Sequence, residues 1–189
     1  PGFEIPNTPW TAMSTWYSAA GVFATPIGTT ASRAHTGSNY SNQGNYVVNA
    51  NNAAGTMPWR DADYQTLTIP ANVAKATLKL WMFTYNSTGA TTTPNPAAAV
   101  NTLKIYLKDA TGAWTWGNTG VLATLATVTN MDVTATSSTA AWTEKTYAID
   151  LSAYLGQTIR ISLETEQTTA GITIFRTDDW NLEVTVPAP

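Results

Sequence analysis

Apolar and polar residues alternate along much of this chain with a period of two, the pattern of half-buried β-strands. Residues 147–186 show it best: YAIDLSAYLGQTIRISLE, a Thr/Gly turn, then ITIFRTDDWNLEVTV. Ile159, Ile161 and Leu163 share one face of the first strand, with Arg160, Ser162 and Glu164 on the other. In the last strand Ile172, Ile174, Trp180, Leu182, Val184 and Val186 share one parity, and Asp178 falls on it too. With unbroken alternation through residues 176–179, a carboxylate points the same way as a row of core residues. An unpaired buried charge is costly, so such a group is expected to bind a cation, to be paired, or to sit where the strand bends.

The same period places a central strand over residues 76–85, with Leu78, Leu80 and Met82 on one face and Lys79, Trp81, Phe83 and Tyr85 on the other. Leu103, Ile105 and Leu107 alternate with Lys104, Tyr106 and Lys108 before a turn at 109–112. Further strands are expected at 64–69 (closed by Pro70), 121–128 and 142–151, and residues 10–34 read as strands joined by loops. HTGSNYSNQGNY (35–46) is turn chemistry throughout, with a strand starting at 46–48, and 49–57 and 87–99 read as loops. Asp61-Ala-Asp63 reads as a solvated loop before a strand, with a second cation site as the alternative. The opening PGFEIPNTPW, with three prolines, suits an edge strand or extended arm. No segment carries a helical period with caps. About eight to ten regularly spaced strands predict an all-β sandwich of antiparallel sheets.

Composition narrows the class. Only 11% of the 189 residues are charged, against roughly 25% on average, and Thr is a strand-favouring residue. A surface low in charge and rich in Thr suits an extracellular domain that packs on polymer or on its own copies. The net charge of −3, with nine scattered Lys and Arg, gives no basic field for nucleic acid. No cysteine is present, so there is no disulfide framework or thiolate metal site. No apolar run approaches the roughly 20 residues of a membrane-spanning helix. The sequence opens at Pro1 without an initiator Met or signal segment, as expected of a mature or excised single domain.

Catalytic signatures are absent. His35 is the one histidine, in a Gly/Ser/Asn turn, and neither HExxH nor G-x-S-x-G occurs. Glu164 and Glu166 share a strand face, as any i, i+2 acidic pair does, and a solvated outer face explains them better than glycoside hydrolysis. The chain reads as non-catalytic.

Eight Trp and eight Tyr are a heavy aromatic load. Trp81, Phe83 and Tyr85 face away from the leucines, with Tyr106 joining them from a strand of the same pattern. Three uses are open for that second apolar surface: a stacking platform for sugar rings, cover by a flanking loop, or burial against another subunit. Trp114 and Trp116 beside a Gly turn, and Trp59 beside Arg60, are candidates for loop-borne binding aromatics.

The ordered series GFE, HTGSNYS, YQTLTIPANVAKATLKLWM, NTLKIYLKDATGAW, YAIDLSAYLGQTIRISLE and F-x-x-D-D-W-x-L resembles the jelly-roll modules of the galactose-binding-like and carbohydrate-binding class, appended to secreted bacterial peptidases and glycoside hydrolases. The resemblance spans nearly the whole chain and departs from the pattern at Trp180, where a small β-branched residue is usual. It implies one two-sheet antiparallel jelly-roll domain over 1–189, with an arm at 1–9 and a tail at 187–189. It also implies a structural calcium held by Glu4 and Asp178, its shell completed by carbonyls of the 35–39 turn. Calcium takes six to eight hard oxygens, which two carboxylates with carbonyls and water supply.

These readings make the chain an extracellular, non-catalytic module binding polysaccharide or cell-surface glycan through Trp81, Tyr85 and Tyr106, or through Trp59, Trp114 and Trp116. The alternative is a self-assembling subunit of a filament or surface layer, its arm or tail added to a neighbour's sheet edge.

Overall fold

The alternating segments form strands throughout the part of the chain that the computed structural model describes, residues 11–15, 27–38, 40–43, 59–73, 75–87, 101–133, 135, 139–167 and 172–185. The strands there are β1 (Thr11–Thr15), β2 (Ile27–Gly28), β3 (Tyr40–Gln43), β4 (Trp59–Thr68), β5 (Lys75–Ser87), β6 (Asn101–Asp109), β7 (Val121–Thr129), β8 (Thr143–Ile149), β9 (Thr158–Gln167) and β10 (Ile172–Thr185). They build two five-stranded sheets, ordered β1-β4-β9-β6-β7 and β2-β3-β10-β5-β8, with every pairing antiparallel. The eight strands from β3 to β10 follow the jelly-roll order, and β1 and β2 extend one edge of each sheet. The arm at 1–9, the tail at 187–189, the loop expected at 49–57 and all but Ser87 of the loop expected at 87–99 lie outside the described residues, Ser87 being the last residue of β5. No helix among the described residues is long and apolar enough to cross a membrane.

The expected apolar faces meet between the sheets. Leu78, Leu80 and Met82 of β5 share one buried cluster with Leu103, Ile105 and Leu107 of β6 and with Ile159, Ile161 and Leu163 of β9. Each such side chain contributes about 1.5–3 kcal/mol on burial. Toward the other end the interior turns polar: Ser41, Gln43, Asp61, Asp63, Asn86, Asn101, Thr165, Gln167 and Thr173 are all buried. Hydrogen bonds there cross between the sheets. Asn101 Nδ2 of β6 donates to Thr173 Oγ1 of β10 at 3.3 Å and Gln167 Nε2 of β9 to the Thr173 carbonyl at 2.8 Å, while within the β10 sheet Thr173 Oγ1 donates to Asn86 Oδ1 of β5 at 2.7 Å. Polar bonds of this kind fix an arrangement of layers that apolar packing alone leaves degenerate.

This polar half accounts for two corrections. The strand expected at Tyr64 starts at Trp59, so Asp61 and Asp63 are strand residues and not a solvated loop. They pair with Thr165 and Leu163 and share their inward face. Likewise Tyr40–Gln43, read as turn, is a strand whose Ser41 and Gln43 side chains bond Asp63.

A third correction concerns the last strand. Asp178 pairs with Trp81 and Asn181 with Lys79, so β10 carries one extra residue between them. This is a bulge, and Asp179 within it takes φ 48°. Before the bulge the odd residues Phe175 and Thr177 face inward, opposite Thr84 and Met82; after it Trp180 and Leu182 do. Ile174, Arg176 and Asp178 therefore lie on the outer face with Tyr85, Phe83 and Trp81. Of the three fates expected for Asp178, it sits where the strand bends.

Candidate functional site

The two outer faces of the sandwich differ. On the β10 sheet, the segment 31–38 lies over Trp81: the His35 ring stacks on the indole with centroids 3.9 Å apart and planes 14° from parallel. Trp142 meets His35 edge-on at 5.6 Å and Phe83 at 5.5 Å. Arg176 fills the centre of the face, its guanidinium 5.3–5.6 Å from the rings of Tyr85, Phe83 and Tyr40. It donates to Tyr85 Oη at 3.0 Å and to Asn42 Oδ1 at 3.1 Å. A loop thus takes the apolar surface expected to be a platform, and Trp81 and Tyr85 are engaged within the chain. Tyr106 does not join them: β6 belongs to the other sheet, so Tyr106 lies on the opposite outer face.

Asp178 is buried beneath this loop. Its Oδ2 accepts from the backbone N–H of His35 at 2.9 Å and of Thr36 at 3.3 Å, and its Oδ1 from that of Asp179 at 2.8 Å. Burial pushes its carboxyl up from the ordinary range, and the N–H donors pull the other way. Asp179 clasps the same loop, with His35 Nδ1 2.6 Å from Oδ2 and Thr36 Oγ1 donating to Oδ1 at 2.5 Å. What reaches Asp178 from the 35–36 turn is N–H, not carbonyl. Such a shell of N–H donors suits an ionised carboxylate. Glu4, the other implied calcium ligand, lies outside the described residues. No group of three or more His, Cys, Asp or Glu side chains able to hold a metal occurs among the described residues.

The outer face of the β9 sheet is where aromatic and polar side chains gather around open space. Residues 110–120, between β6 and β7, fold back over it and are held by two cations. Arg160 donates to the carbonyls of Asp109 at 3.0 Å and Gly112 at 2.5 Å. Lys108 Nζ donates to the carbonyls of Thr115 at 2.6 Å and Gly117 at 2.8 Å, and to Glu164 Oε1 at 2.6 Å. The Lys108 and Glu164 side chains are only 3% and 2% exposed, so Glu164 is a buried ion-pair partner and not the solvated acid expected. Glu164 also accepts from Ser162 Oγ at 3.0 Å and from the Gly117 N–H at 2.7 Å. That last bond is made from a turn position at φ 74°, which glycine adopts without strain.

Held this way, Trp114 stacks on Tyr64 with centroids 5.7 Å apart and donates Nε1–H to Ser162 Oγ at 3.1 Å. Trp116 stands edge-on to Trp114 at 6.4 Å, with the Arg60 guanidinium 5.4 Å from its ring. Arg60 Nε and Nη2 both donate to Glu166 Oε1, at 2.8 and 2.6 Å. Beside this group opens a cavity of about 140 Å³ lined by Thr102, Lys104, Tyr106, Trp116, Gly117, Asn118, Glu164 and Glu166. Tyr106 Oη donates to Asn118 Oδ1 at 3.2 Å across it. Of the six expected binding aromatics, then, Tyr106 and Trp116 share a cavity, with Trp114 behind them. Trp59 is described by its backbone alone, as the first residue of β4. The ion pairs that join Arg60 to Glu166 and Lys108 to Glu164 link different strands, so the sequence signals only the outward parity of Lys108, Glu164 and Glu166.

A small polar cleft with an aromatic wall on a rigid sheet orients a hydroxyl-rich ligand by hydrogen bonds and covers its apolar face with a ring. Both glutamates are held by cations, Glu166 by Arg60 and Glu164 by Lys108.

No protein-family model and no functionally curated protein matches the chain. Several solved structures do. The K1 cleaved adhesin domain of Lys-gingipain from Porphyromonas gingivalis W83 is 14% identical, with 95% of this chain and 92% of that one aligned at a TM-score of 0.50. TmCBM61, solved in complex with β-1,4-galactotriose, is 16% identical over 98% and 95% of the two chains at a TM-score of 0.49. The K3 cleaved adhesin domain of the same gingipain is 13% identical over 96% and 93% at 0.49. Likeness at this identity is likeness of fold, the antiparallel β-sandwich.

Proposed function

We propose that this chain is a non-catalytic extracellular module that binds polysaccharide or cell-surface glycan on the outer face of the β9 sheet. The observation that carries the reading is the cleft where Trp116 and Tyr106 meet Lys104, Asn118 and Glu166. It combines ring surface with donors and acceptors of both signs, which matches the two faces of a sugar. On the opposite outer face Trp81 and Phe83 are already engaged, by His35 and Trp142.

Glycan-array and polysaccharide pull-down binding test the proposal. The wild-type chain is expected to bind at least one neutral polysaccharide, Trp116→Ala to lose that binding with its fold intact, and Trp81→Phe to retain it. Absence of binding to any glycan, or undiminished binding by Trp116→Ala, would overturn it.

A further inference from the structure

The polar half of the interior holds a second oxygen cluster, on the inner side of the sandwich and independent of the glycan cleft. Asp63 and Gln43 are 0% and 1% exposed. Asp63 Oδ2 accepts from Ser41 Oγ and, at 2.9 Å, from Gln43 Nε2. That leaves Asp63 Oδ1 and Gln43 Oε1 as fully buried acceptors with no hydrogen-bond partner among the described residues. The bond between the two side chains joins β3 of one sheet to β4 of the other and brings the groups that carry these oxygens into contact. Asp61, two residues before Asp63, is also buried and shares its inward face. Thr165 pairs with Asp61 on the same side.

Buried acceptors are paired in the great majority of cases, and an orphan signals a missing partner. A cation is the partner that would meet both acceptors and the neighbouring carboxylate at once. Hydrogen-bond donors from Ser41 and Gln43 already approach Asp63, yet two neighbouring acceptors of different strands remain, beside a second carboxylate. Two carboxylates, an amide oxygen and two hydroxyls are hard oxygen donors without nitrogen or sulfur, the set that calcium accepts at irregular geometry and that magnesium, with its strict octahedron, takes less readily. Two negative charges match a divalent ion.

We propose that Asp61, Asp63 and the Gln43 amide oxygen hold a calcium ion between the sheets, water completing its shell. The ion ties β3 of one sheet to β4 of the other. This location differs from the Glu4–Asp178 pair that the sequence resemblance implies.

The test uses the full chain, stripped with chelator and titrated with CaCl2 by calorimetry and thermal unfolding. One calcium is expected to bind, raising Tm by about 5–10 °C at a hundredfold excess over Kd. Asp61→Asn and Asp63→Asn are each expected to weaken binding tenfold or more, and Asp178→Asn to leave it unchanged. Because a core variant can fail to fold, a crystal soaked in a calcium salt gives a second readout: anomalous density between Asp61, Asp63 and Gln43. No calcium binding by the stripped protein, density at Asp178 instead, or loss of binding in Asp178→Asn alone would each overturn the proposal.

Discussion

His35 lies flat on Trp81, 3.9 Å between ring centres, while its Nδ1 reaches Asp179 at 2.6 Å. One side chain thus closes the outer face of a sheet and ties the covering loop to the bulge. His35→Ala removes the stack and the bond, and is expected to cost about 1–2 kcal/mol. Urea denaturation measures the cost, and a rise in Trp fluorescence quenching by iodide reports exposure of Trp81. Unchanged quenching would mean that the loop is held without His35.

Asp178→Ala withdraws the acceptor from three backbone N–H groups, of His35, Thr36 and Asp179. Buried donors left unpaired are expensive, so a loss of about 2–4 kcal/mol is expected, larger than that of His35→Ala. The same denaturation series gives the ranking, and the reverse order would place the weight of the clasp on the ring.

Lys108 and Glu164 hold the 110–120 loop from below. Lys108→Met leaves a buried carboxylate without its cation and is expected to cost about 3–5 kcal/mol. In the double variant Lys108→Met/Glu164→Gln a substantial part should return. A double-mutant cycle measures the coupling, and glycan binding is expected to fall in the single variant because Trp116 loses its anchored loop.

Asp63 gives stability a pH dependence in chelator. Burial raises its carboxyl from the ordinary 3.8 to about 6, opposed by Ser41 and Gln43 and helped by the charge of Asp61. The folded state keeps the proton over a range in which the unfolded chain releases it. Its contribution is therefore full below pH 3.8 and is lost as pH rises through 6. The loss amounts to roughly 3 kcal/mol. The unfolding midpoint of the wild type relative to Asp63→Asn, followed between pH 4 and about 8, is expected to fall with rising pH. A flat difference would refute the shift.

Where one face is apolar the sequence is a sufficient guide. The leucines and isoleucines of β5, β6 and β9 stand where alternation puts them because a slip of one residue would carry the whole set into water. The polar half of the core defeats the same reasoning: Ser41, Gln43, Asp61 and Asp63 point inward as surely as Leu78, yet their chemistry is that of turns and loops. Parity also says nothing of which sheet a strand joins. Tyr106 and Trp81 occupy equivalent outward positions in similar strands, and the crossover from β5 to β6 sends them to opposite sides of the molecule. Trp116 was legible as a binding candidate by its place beside Gly117, whereas the ions that seat it are a matter of three-dimensional neighbours only.

The extra residue in β10 has a consequence for any relative or variant of this chain. It makes the strand a hinge between two reading frames, so insertions and deletions there are not neutral changes of length. Removing Asp179 would bring both halves into one frame, with Phe175, Thr177, Trp180 and Leu182 on the inward side of an unbulged strand, and would take away the carboxylate that clasps His35 and Thr36.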